Sequence, residues 1–138
     1  MTSTPAPQNF VPALLLTEAE NRVFAALETA FGDTLWDVLR AYIDQGKGHC
    51  EALQQATVCT HWQEAVRRGL KIAELASDLD FRAVVEAARG LSDAVYDSHT
   101  AHARRNAAQM VVLEFERSKL MLASRYPGLV AAYDASFG

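Results

Sequence analysis

Four histidines and two cysteines are the side chains of this sequence that carry lone pairs suited to metal ligation or nucleophilic attack. His99 and His102 have the spacing that sets two imidazoles on one helical face, with Asp97 beside them, and they are the candidate metal ligands. A zinc site needs further ligands converging on the pair, and none is apparent, so the expectation is two solvated imidazoles at a helix start and no metal. His49-Cys50 and Cys59-x-His61 fall near helix ends and read as packing and surface residues. Metal-type CxxC spacing is absent, so Cys50 and Cys59 are expected to be free thiols, with Cys50 on a buried stripe. The sequence has no glycine-rich phosphate loop, no HExxH, no nucleophile elbow and no convergent carboxylate pair. Neither an enzyme nor a cofactor is expected.

The formal net charge of −4 argues against a binder of nucleic-acid backbones, which depends on clustered Lys and Arg. Local basic clusters do occur at Arg67, Arg68 and Lys71, and at Arg104 and Arg105. A chain of 138 residues suffices for one domain that buries roughly two thirds of the surface its unfolded form exposes. Its apolar residues are spread in periodic stripes, without the run of about 18 or more that a membrane span requires. No Lys or Arg precedes Arg22, and the apolar run from Val11 to Leu16 is broken by Pro12. A secretory leader is therefore not expected, and the expected location is cytoplasmic.

The elements that hold these side chains follow from periodicity. Pro5, Pro7 and Pro12 predict a flexible arm over residues 1–16, whose Phe10, Val11, Leu14, Leu15 and Leu16 should cover themselves against the bundle or a partner. Thr17 and Glu20 form a capping-box pattern that starts a helix running to about Phe31, ended by Gly32-Asp33. Leu35, Val38, Leu39, Tyr42, Ile43, Cys50 and Leu53 predict a long helix from Asp33 to about Ala56. Gly46 and Gly48 interrupt it and suggest close approach by a neighbour. Thr57–Thr60 is the break, and the next helix spans about His61 to Leu79. Its inner stripe is Trp62, Ala65, Val66, Gly69, Ile72, Ala73, Ala76 and Leu79, and its outer face is Gln63, Arg67, Leu70, Lys71, Glu74 and Ser77. A fourth helix is predicted over about Phe81–Tyr96. A fifth, capped by Asp97-Ser98, covers about His99 to Arg125, with Pro127-Gly128 stopping it before a tail over 128–138. Met110, Leu113, Leu120 and Met121 form a second apolar flank on this helix. The fold class is all-α: an antiparallel up-down four-helix bundle with an additional N-terminal helix, over residues 17–127.

From Phe31 to Ala123 the chain resembles a histidine-containing phosphotransfer (HPt) domain. Trp62 falls on that family's tryptophan and Gly69 on the small residue before its histidine. Ile72, Ala76, Leu79 and Phe81 fall on the buried positions that follow. At the reactive positions the chain departs from the pattern: Leu70 stands for the phosphate-carrying histidine, Ala73 for the lysine and Glu74 for the glycine that lets a partner approach. Leucine offers no nucleophile, and an added carboxylate repels a phosphoryl group's roughly two negative charges. The resemblance implies a pseudo-phosphotransfer module that binds a receiver domain or a histidine kinase through Arg67, Leu70, Lys71, Glu74 and Ser77. The alternatives are an adaptor bundle that forms a homodimer or joins a larger assembly through the Met110 flank and the N-terminal arm, and a metal- or ligand-binding bundle around His99 and His102.

Overall fold

Thr17 Oγ1 accepts from the Glu20 backbone N–H at 3.0 Å, and Glu20 Oε1 accepts from the Thr17 N–H at 2.8 Å. This reciprocal cap satisfies two donors that the first turn leaves without helical partners, and it starts α1, Glu18–Phe31. In the computed structural model, which describes residues 16–97 and 100–129, α1 is followed by a 3₁₀ turn at Gly32–Thr34. Then come α2 (Leu35–Val58), α3 (Trp62–Asp78), α4 (Arg82–Tyr96) and α5 (Ala101–Arg125). The described residues contain no strand. Consecutive helices from α2 to α5 pack side by side, and α2 closes the ring against α5. Short connections between long neighbouring helices make the four antiparallel, so the fold is an all-α bundle with α1 laid on it.

Two of the connections use one device. After α2, the His61 N–H reaches back to Ala56 O at 2.8 Å and the Thr60 N–H to Thr57 O at 3.1 Å. After α3, the Phe81 N–H reaches Ala76 O at 2.9 Å and the Asp80 N–H Ser77 O at 3.1 Å. Both are Schellman turns, and the left-handed residue each requires is Thr60 (φ 55°) or Asp80 (φ 59°) rather than glycine. Aspartate tolerates this conformation, whereas a β-branched threonine is strained by its Cβ. Thr60→Gly is therefore expected to raise the unfolding free energy by about 1 kcal/mol, read from a urea titration, with a smaller gain for Asp80→Gly.

The core is built around Tyr42 on α2. Its ring lies 5.2 Å from those of Phe81 and Phe115, and Phe81 passes the contact on to Phe24 of α1 at 6.1 Å. Leu39, Leu53, Ile72, Leu91, Val111 and Leu122 fill the space between the helices and are fully buried. α1 is fastened from outside by Arg125, whose guanidinium donates to Asn21 Oδ1 at 2.8 Å and pairs with Glu28 at 3.2 Å. Tyr126 donates its hydroxyl to the same carboxylate.

Several local expectations need correction. The cap of α5 is Thr100, whose Oγ1 accepts from the Ala103 N–H at 3.1 Å, and not Asp97-Ser98. Thr100 is the residue with extended backbone three positions before a free helical N–H. Gly46 and Gly48 do not interrupt α2, and only Gly46 marks a close approach: a Cβ there would lie 2.2 Å from Phe115 Cε1, while one on Gly48 would meet nothing within 4 Å. Leu16 packs against the core and Leu129 is fully buried. The rest of the predicted N-terminal arm, Ser98, His99 and the tail from residue 130 lie outside the described residues.

Candidate interaction face

α3 turns Ala65, Val66, Gly69, Ile72 and Ala76 inward. Gly69 is small because α4 is close: a Cβ there would stand 3.2 Å from Leu91 Cδ2. The helical period then leaves Gln63, Arg67, Leu70, Lys71, Glu74 and Ser77 exposed. Leu70, in the middle of this face, is 45% exposed. The five candidate partner-binding residues, Arg67, Leu70, Lys71, Glu74 and Ser77, therefore share one solvent-facing surface.

The charges around Leu70 are held in ordered pairs. Glu64 accepts from Arg67 Nε at 2.8 Å and from Arg68 Nε at 2.9 Å, and these hydrogen bonds, Arg67's first, hold its carboxyl down to about 2. Lys71 lies 3.8 Å from Glu74. These pairs lie at or near the surface and contribute little to stability, so their main consequence here is to orient side chains. Arg68 also reaches across to α2, with Nη1 3.1 Å from His49 Nδ1. A guanidinium can only donate, so Nδ1 is the acceptor and the neutral ring carries its proton on Nε2. Sequence reasoning set His49 aside with His61 among packing and surface residues. Its place follows from folding α2 and α3 into an antiparallel pair about Thr60, which brings residues near 49 opposite residues near 70.

Partial burial, and then the positive charges of Arg68, Lys71 and Arg67, depress the pKa of His49 below its ordinary 6.5. The unfolded chain therefore takes up this proton first as the solution is acidified. The stabilisation that follows is complete above pH 6.5 and is lost as pH falls through 6.5 toward the folded value. An NMR titration is expected to give His49 a midpoint below the ordinary histidine value of 6.5, with Arg68→Gln moving it back up.

The other candidates sit apart from this face. His61 is exposed at the start of α3, beside a shallow concavity lined by Trp62, Gln63, Glu64 and Arg67. His102 is exposed, with Nε2 3.2 Å from Asn106 Nδ2, and its predicted companion His99 lies outside the described residues. The described residues hold no cluster of three or more His, Cys, Asp or Glu able to bind a metal. Cys50 is buried and Cys59 exposed, both as free thiols. Arg104 stacks over Trp62 at 5.8 Å and donates to Val95 O, which takes it out of the second basic cluster and ties α5 to α3 and α4. On α5, Met110, Leu113 and Leu120 are 46%, 53% and 42% exposed, whereas Met121, expected with them, is half-buried against the core. A groove of about 580 Å³ runs between the starts of α1 and α4 and the middle of α5, with Val23, Phe81 and Met121 in its wall.

No family model, curated protein or solved structure matches the chain. Among the described residues, no helix is long and apolar enough to cross a membrane.

Proposed function

We propose that this bundle is a protein-binding module of the phosphorelay type, without phosphotransfer activity of its own, which docks a receiver domain or a histidine kinase through the outer face of α3. The observation that carries the reading is Leu70, an exposed aliphatic side chain at the centre of a rigid helix, surrounded by oriented Arg67, Lys71 and Glu74. An apolar anchor within a polar rim is the usual plan of a protein contact. The same face supports the loss of group transfer. Leu70 has no lone pair to attack a phosphoryl group, and His49, on the facing helix α2, has its unprotonated nitrogen engaged by Arg68. Occupancy of the partner, rather than chemistry on it, is then the mode of action.

The test is a binding titration with a phosphorylated receiver domain and, separately, with the phosphotransfer domain of a histidine kinase. Leu70→Glu is expected to weaken binding at least roughly tenfold, the scale of an interfacial anchor, while leaving the thermal melt within a degree or two because the side chain is outside the core. Equal binding by the variant, or an acid-labile phosphoryl label on the wild-type chain, would overturn the reading. A second reading, an adaptor that assembles through α5, is favoured by the exposure of Met110, Leu113 and Leu120.

A further inference from the structure

Where α3 and α4 each expose one large apolar side chain, Leu70 and Tyr96, α5 exposes three. Val111, Phe115 and Leu122 point into the core, and Met110, Leu113 and Leu120 point to solvent. A strip of large apolar groups left on the outer face of a helix marks a contact surface. Residues 110, 113, 117 and 120 follow three-four spacing, so Arg117 lies within this outer strip. Neither Arg117 nor Glu114, one turn before it, forms an ion pair among the described residues, whereas the neighbouring Glu116 and Lys119 pair at 3.1 Å. The strip thus contains three apolar side chains, one unpaired cation and one unpaired anion beside it.

The geometry points to a second copy of this chain as the occupant, with the two α5 helices crossing antiparallel about a two-fold axis level with residue 115. That axis sets Met110 against the second copy's Leu120, and Leu113 against the aliphatic stem of the second copy's Arg117. It also brings each Arg117 within reach of the other copy's Glu114, one residue beyond the facing position, so both unpaired charges find partners and do so twice. Such self-complementarity is what an isologous contact requires. The three-four-three spacing of Met110, Leu113, Arg117 and Leu120 reads the same backwards, which a two-fold pairing needs and a partner chain of other sequence does not. Because α3 sits diagonally across the bundle from α5, the pairing leaves both Leu70 faces open, and the dimer is bivalent for whatever binds there.

The experiment is sedimentation of the full chain over a concentration series, with charge-exchange variants to report orientation. Wild type is expected to sediment as a dimer that dissociates on dilution. Leu113→Glu is expected to raise the dissociation constant more than roughly tenfold without shifting the melt of the diluted monomer. Glu114→Arg and Arg117→Glu should each weaken the dimer, and the double variant Glu114→Arg/Arg117→Glu should restore it. Leu70→Glu should leave it intact, which separates this outcome from that of the α3 face. A monomer at every concentration, a dimer indifferent to Leu113→Glu, or a double variant weaker than both singles would overturn the proposal.

Discussion

Gly46→Val is expected to destabilise the protein by about 3 kcal/mol, with Gly48→Ala, two residues along the same helix, changing stability in the opposite direction. Any Cβ on Gly46 would stand 2.2 Å from Phe115 Cε1 and 2.5 Å from Cζ, well inside van der Waals contact. The ring cannot swing aside cheaply, because Phe115 is fully buried and its other edge meets Tyr42 at 5.2 Å between centroids. Accommodation must therefore come from separating α2 and α5, which breaks the packing between them. At Gly48 the added methyl meets nothing within 4 Å, so alanine there only removes glycine's helix penalty, for a gain of up to about 1 kcal/mol. Urea titrations of the two variants test the pair of signs. A double-mutant cycle tests the cause: in a Phe115→Leu background, Gly46→Ala should cost less than it does in wild type, because the colliding ring edge is gone.

Ser118→Ala is expected to cost about 2 kcal/mol, and Tyr42→Phe, which removes the other partner of the same hydrogen bond, less than about 1 kcal/mol. The asymmetry comes from direction. Ser118 Oγ donates to Phe115 O at 2.6 Å, as serine hydroxyls in helices often do, and so it accepts from the Tyr42 hydroxyl at 2.7 Å. Without Ser118, the phenol stays in a core position without its acceptor and bears the desolvation cost of an unpaired hydroxyl. Without the Tyr42 hydroxyl, Ser118 keeps its bond to the carbonyl and loses only a donor. Thermal or chemical unfolding of the two single variants and the double variant measures this. The double variant should be less destabilised than Ser118→Ala alone, since the stranded hydroxyl is removed with its partner. Equal costs for the two singles would mean that the proton sits the other way round.

How much of this could be read in advance depended on whether the cause was local. The Thr17–Glu20 cap, the inner stripe of α3 and the exposure of Leu70 all follow from residues within a turn or two of one another. The start of α5 was placed too early because Asp97, Ser98 and Thr100 are all cap-forming residue types, and only the backbone path selects Thr100. Ser118 lay in the sequence as one polar residue in a long helix, with nothing to pair it with Tyr42, and the two Schellman turns were hidden because neither uses glycine.

Periodicity and capping alone determined that this chain is all-α, which stretches are helical to within a few residues and which side of α3 faces water, because each of those properties is set by neighbours a few residues apart on one helix. The packed structure alone decided which glycine touches an aromatic ring, that His49 is engaged by Arg68 beside Leu70, that Arg104 serves Trp62 rather than a basic patch, and that Met121 is withdrawn from the α5 strip. Those outcomes depend on the rotation and register of one helix against another. A repeat of 3.6 residues specifies a helix's own faces and leaves that relation to the fit of side chains across the core.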